Sequence, residues 1–130
     1  MQDVTPQEHE LPDMISVDDH VMEPKDLWQQ QLPASMRDRG PRVSREKIRL
    51  SFVGGHYGFE PDEANGTECD VWRFEDMAMP TGFLHAPAGI PRSAQRNVPA
   101  TYDDFRPGTW DKTARLADMT LNHCDVAINY

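Results

Sequence analysis

Helix, short turn, apolar strand: residues 111–130 spell out half of a βαβ unit. Ala114, Ala117, Leu121 and Cys124 recur at steps of three and four, the spacing of one helical face. Asp111 is placed to cap that helix, predicted over about 111–123. Residues 126–130 then read as a strand of the buried type. A second apolar run at residues 14–17 supplies the other strand such a unit requires, and the two would lie side by side in parallel. A two-stranded parallel sheet exposes both edges and most of both faces. The pattern therefore asks for further strands from elsewhere.

The interval between the two strands is punctuated rather than periodic. Residues 1–13 are polar and read as a flexible N-terminal arm, and 14–130 as the folded domain. Pro24 suits the first turn of a helix whose apolar face is Leu27, Trp28 and Leu32, ended by Pro33. Residues 34–39 read as a further turn of helix, stopped by Gly40-Pro41. Val43, Ile48, Leu50 and Phe52 alternate weakly, Gly54-Gly55 is a hairpin-type turn, and His56-Tyr57-Gly58-Phe59 is its return strand. Residues 69–74 alternate again. From Met77 to Gly108 there are five prolines and three glycines, an irregular stretch that nonetheless holds Phe83, Leu84, Ile90 and Phe105, which a linker would not need. Taken together, residues 34–108 are expected to form a long insertion between the first strand and the last helix.

Chemistry concentrates where the first strand ends, at Asp18-Asp19-His20-Val21-Met22-Glu23-Pro24. Side chains alternate along a strand, so Asp18 and His20 share a face roughly 6.6 Å apart along the chain. A carboxylate and an imidazole at that spacing can converge on one divalent ion; the plainer reading is a pair of solvated turn residues. Glu23 faces the same end, where it equally suits the N-terminus of a helix. His85 and Arg92, within the irregular stretch, are candidate substrate contacts, Arg92 together with Arg96 and Arg106 as partners for a substrate carboxylate. Each has an ordinary surface or structural reading beside it. His9 and His56 read as solvated, His123 as a cation at a helix end, and Trp28, Trp72 and Trp110 as packing anchors.

Composition narrows the classes. A net charge of −9 and an isoelectric point near 4.8 argue against binding a phosphate backbone. Cys69 and Cys124 belong to no metal-type spacing and are expected as reduced thiols of a cytoplasmic protein. Residues 1–6 carry neither the basic nor the apolar stretch of a secretory leader. No apolar run approaches the ~18 residues of a membrane span.

The segment Ser16-Val17-Asp18-Asp19-His20-Val21-Met22-Glu23-Pro24-Lys25-Asp26-Leu27-Trp28 resembles the opening of the amidohydrolase-related proteins. That branch of the amidohydrolase superfamily also contains the aminocarboxymuconate-semialdehyde and resorcylate decarboxylases. Glu75-Asp76-Met77-Ala78-Met79-Pro80, Ala86-Pro87-Ala88-Gly89, Phe105-Arg106-Pro107-Gly108 and Ala114-Arg115-Leu116-Ala117-Asp118-Met119 are similar to an insertion and helix of its actinobacterial-type members. The resemblance implies an α/β fold, the N-terminal part of a (β/α)₈ TIM barrel, with Asp18 and His20 as first-strand metal ligands and Glu23 as a weaker third. Asp at the first ligand position departs from the commoner His or Glu. It implies zinc, or manganese or iron, as the ion and a small-molecule substrate. The family's later ligands and its catalytic His have no counterpart here, so the resemblance further implies a hetero-oligomer. A second chain would complete a metal-dependent hydrolase, a non-oxidative decarboxylase, or a complex in which this chain only stabilises its partner; the alternative is that the sequence is the N-terminal portion of one longer enzyme.

Overall fold

The computed structural model describes residues 12–129; residues 1–11, which hold most of the expected arm, and Tyr130 lie outside them. Eight elements follow in order: β1 (Met14–Asp19), α1 (Leu27–Gln31), β2 (Arg42–Val53), β3 (His56–Pro61), β4 (Thr67–Phe74), β5 (Met77–Pro80), α2 (Lys112–Leu121) and β6 (Cys124–Asn129). Single turns of 3₁₀ helix punctuate the connections at Arg37–Arg39, Phe83–His85, Arg92–Ala94, Tyr102–Asp104 and Pro107–Thr109.

These strands do not make the beginning of a TIM barrel, contrary to what the resemblance implied. A (β/α)₈ barrel alternates strand and helix around one parallel sheet. Here β2 to β5 follow one another with no intervening helix and form an antiparallel sheet of their own, in the order β3-β2-β4-β5. Only β1 and β6 pair in parallel, in a separate two-stranded sheet, and the described residues contain two α-helices. The stretch expected to be an insertion therefore supplies the larger sheet. Short connections decide this: antiparallel neighbours need only tight turns, whereas parallel ones need a crossover.

Gly54 and Gly55, at φ 62° and 84°, close the β2–β3 hairpin. Positive φ at both central residues gives the turn whose twist matches that of the strands, and glycine takes it without a steric penalty. Glu75 takes a similar conformation, φ 50°, between β4 and β5. Twelve residues long, β2 is the centre of the sheet, pairing with β3 over Ile48–Val53 and with β4 over Arg42–Ile48.

Two small apolar clusters hold this body together. Ile48, Cys69 and Val71 are fully buried on one face of the sheet, with Ala78 packed against them. Burying a side chain the size of Ile or Val contributes about 1.5–3 kcal/mol. The second cluster belongs to the irregular stretch: Ala86, Ala100 and Phe105 are buried, with Met22 and Trp110 alongside. Tyr102 stands edge-on to Phe105 and to Trp110, at centroid distances of 6.1 and 5.9 Å.

Polar links fasten the irregular stretch to the sheet. Asp70 N–H donates to the Ala100 carbonyl, and Thr81 N–H donates to the Asp70 carbonyl. The Asp70 carboxylate, buried, accepts from Arg45 Nε and Nη2 at 3.0 and 2.9 Å and from Tyr102 N–H at 2.8 Å. Burial pushes the Asp70 carboxyl up, but the Arg45 guanidinium and the Tyr102 N–H outweigh it and hold it below the usual carboxylate range. The Glu46 carboxyl is held low chiefly by the guanidinium of Arg73 on the neighbouring strand, which outweighs its burial.

Around α2 the structure departs from the sequence pattern. Asp111 caps the helix as expected, accepting from Ala114 N–H at 2.8 Å. The half-buried face, however, is Ala114, Arg115, Asp118 and Met119, while Ala117 and Leu121 are exposed, Leu121 by 73%. The helix is rotated by its charges: Asp118 pairs with Arg106, and Arg115 pairs with Asp19 of β1. Apolar spacing alone could not register this. The strand expected to be buried is also open, with Val126 and Ile128 exposed on β6 and Ile15 and Val17 on β1.

Two outcomes test this account. Asp70→Ala should cost about 2–4 kcal/mol in denaturant unfolding at neutral pH, since it leaves buried donors unpaired. The folded pKa of Asp70 lies below its free-chain value of about 3.9, so its contribution is complete above that pH and fades as pH falls through the folded value. The variant should therefore lose less stability than the wild type between about pH 4 and pH 2. Separately, His123 joins α2 to β6 at φ 52°, where a side chain is unfavourable. His123→Gly should raise stability by about 0.5–1 kcal/mol in thermal melts.

Candidate functional site

At the C-terminal end of β1, two consecutive acids are sent in opposite directions. The β1–β6 register slips between Ser16 and Asp19, and these two residues line the same cleft beside α2 despite their odd spacing. Asp19 turns toward α2, half-buried, and accepts from Arg115 Nη2 at 2.5 Å. Asp18 turns to solvent, and so does His20, with side chains 80% and 75% exposed. His20 Nε2 lies 3.5 Å from Asp18 Oδ1. Asp18 and His20 thus lie on one side of the chain and Asp19 on the other, as the alternation of an extended chain predicts.

The Arg115–Asp19 link holds the strand end in place from below. It spans residues far apart in sequence, and nothing in the local pattern announces it. Further along, Met22 N–H donates to the Thr109 carbonyl at 2.7 Å. The Glu23 carbonyl accepts from Tyr102 Oη at 2.7 Å, and Tyr102 Oη itself accepts from Trp72 Nε1 at 3.2 Å. Burial pushes the Tyr102 hydroxyl up to about 12. It is a structural hydroxyl, neutral over the whole physiological range, that ties the segment leaving β1 to the larger sheet.

The remaining candidates lie apart. Glu23 is exposed, and its carboxylate does not join the Asp18–His20 pair: among the described residues no group of three or more His, Cys, Asp or Glu side chains is placed to hold a metal ion. His85 ends a 3₁₀ turn, where its Nδ1 accepts from Gly82 N–H at 3.1 Å. That places the ring proton on Nε2, toward solvent. Arg92 is exposed on the next turn. Arg96 folds back onto the Ser93 and Gln95 carbonyls, and Arg106 is engaged by Asp118, its Nε donating at 2.6 Å. Cys69 is buried, and burial with the charges of Asp70 and Glu46 pushes its thiol up to about 11. A thiol so rarely ionised is no nucleophile. Cys124 is half-buried.

The cleft nearest the pair lies behind it, between β1 and α2. It has a volume of about 320 Å³ and is lined by Met14, Ser16, Asp19, Arg115, Met119 and Cys124 among others. Asp18 and His20 face away from it. Among the described residues, no helix is long and apolar enough to cross a membrane.

No family model matches this chain, and no curated protein matches it. The resemblance to the amidohydrolase-related proteins rests on the residues quoted for it.

Removing the brace beneath the strand end should be measurable. Arg115→Met leaves the half-buried Asp19 carboxylate without its partner and should cost about 1–2 kcal/mol. Amide exchange at Asp19 and His20 should accelerate more than at the centre of β2, read by hydrogen–deuterium exchange.

Proposed function

We propose that this chain contributes Asp18 and His20 as two ligands of a divalent metal centre that a second chain completes, in a metal-dependent hydrolase. The observation that carries the reading is the 3.5 Å separation of His20 Nε2 and Asp18 Oδ1. Two ligands each about 2.1 Å from a tetrahedral ion stand about 3.4 Å apart, so the pair matches the bite that zinc requires. Imidazole and carboxylate are both zinc donors, and manganese or iron accept the same set. A bound divalent ion lowers the pKa of water and polarises a carbonyl.

A catalytic zinc takes about three protein ligands and keeps one position open. With two placed among the described residues, the proposal assigns the remaining donor and the proton-transfer group to the partner. Two more features support a partner at this end. Both side chains project freely into solvent, and Ile15, Val17, Val126 and Ile128 leave an apolar strip exposed along the same two strands. That strip also favours a second reading, a non-catalytic subunit that uses the same surface to stabilise another chain. Decarboxylation is the alternative chemistry within the first reading, since polarising a carboxylate uses the same ion.

The test is co-purification with a tagged copy of the chain, followed by metal analysis of the complex. Asp18→Asn and His20→Gln should each strip the metal from the complex and abolish turnover while leaving the partner bound. Metal content and turnover unchanged in both variants would overturn the metal reading and leave the stabilising one.

A further inference from the structure

The order β3-β2-β4-β5 leaves two open edges, and they differ in kind. β5 is short, four residues ending in Pro80. β3 has six residues, and no described strand pairs with its outer side. Open edges are usually blunted by short length, by charged side chains (Lys above all), by Pro or by a bulge. His56-Tyr57-Gly58-Phe59-Glu60-Pro61 has no Lys, carries its one acid and its Pro only at its last two positions, and pairs with β2 without a register shift.

The ladder tells which backbone groups of β3 point outward. Asp62 N–H donates to the Lys47 carbonyl at 2.8 Å, one position beyond the paired residues Ile48 and Pro61. Hydrogen-bonded and non-bonded pairs alternate in an antiparallel ladder. His56, Gly58 and Glu60 therefore aim their backbone groups at β2, while Tyr57 and Phe59 aim theirs outward. Pro61 also faces outward but has no N–H to give.

We propose that the chain pairs with a second copy of itself along β3, antiparallel and in a register centred on Gly58. In that register Tyr57 lies opposite Phe59 of the second copy, and each exchanges both its N–H and its C=O with the other. The two-fold axis repeats the exchange, so every outward group of Tyr57 and Phe59 is satisfied. Other symmetric registers do worse. Centring on Phe59 sets Tyr57 against a proline that cannot donate. Centring on Tyr57 sets Phe59 against Gly55, which lies in the turn at φ 84°.

Side chains agree with the same register. Tyr57 and Phe59 share a face with Phe52 and Leu50, and the Phe52 and Tyr57 rings already stand 4.7 Å apart, all three aromatics exposed. Phe59 of the second copy would extend this row from Tyr57, the cross-strand aromatic pairing that stabilises sheets. On the opposite face His56 meets Glu60 of the second copy, an imidazole against a carboxylate. At the axis Gly58 meets Gly58, where neither copy has a side chain to obstruct the close approach of a non-bonded pair. The product is one continuous sheet across two molecules.

Analytical ultracentrifugation of the full chain tests this. The mass should rise with concentration from 14.8 kDa toward twice that value. Tyr57→Pro deletes an outward N–H without touching the bonds to β2 and should return the protein to a monomer with an unchanged circular dichroism spectrum. The register is tested separately with His56→Cys and Glu60→Cys together in a Cys124→Ser background. Positions 56 and 60 lie roughly 13 Å apart within one strand, too far for an internal disulfide, so mild oxidation should yield only covalent dimers. A monomer at every concentration, a dimer indifferent to Tyr57→Pro, or no cross-link between positions 56 and 60 would each overturn the proposal. The cross-link leaves Tyr57 in place, so it stands whether or not the proline is tolerated.

Discussion

One buried carboxylate organises the molecule. Asp70 sits in the middle of β4, and its side chain holds both Arg45 of the neighbouring strand and the backbone of Tyr102. Its own N–H and carbonyl are taken by Ala100 and Thr81, so one residue fixes two distant points of the irregular stretch against the sheet. Tyr102, held there, reaches the Glu23 carbonyl, and Trp72 of the sheet supports the same hydroxyl. The position of the segment leaving β1 thus depends on an interaction made on another sheet. A charge kept in a low-dielectric setting by several donors specifies geometry more sharply than apolar contact does. The two apolar clusters are too small to do this alone.

Charge pairing also explains what the sequence pattern concealed. Strands β1 and β6, helix α2, the Gly54-Gly55 turn and the strand around residues 69–74 were all legible, because each rests on local periodicity or on backbone conformation. The independence of the four-stranded sheet was not. In β2 the alternation is masked by Arg45, Glu46 and Arg49, which are satisfied by Asp70, Arg73 and Glu60 on neighbouring strands. A strand stabilised by cross-strand ion pairs looks, read singly, like a polar loop. The rotation of α2 has the same origin, since Arg115 and Asp118 and not the apolar residues face inward. The barrel expectation came from extending the parallel pair by resemblance, with the Gly54-Gly55 hairpin and the strand around 69–74 assigned to an insertion.

The Asp18–His20 pair was legible from spacing, but the brace behind it was not. Alternation places Asp18 and His20 together and Asp19 behind, while the slip in the β1–β6 register sets Asp19 on the same side as Ser16. The brace from Arg115 joins positions 96 residues apart, and no pattern in either neighbourhood indicates it. Long-range ion pairs of this kind are visible only once the backbone has been laid down.

The two cysteines occupy settings different enough to serve as separate internal gauges. Cys69 lies sealed beneath the sheet with its thiol held far from ionisation, while Cys124 stands at the start of β6 and is only half covered. A thiol reagent reacts with the thiolate and needs access to it. Modification of Cys124 thus reports on the smaller sheet and whatever covers it, and modification of Cys69 requires the larger sheet to come apart. The ratio of the two labelling rates in one sample reads which half of the molecule loosens first.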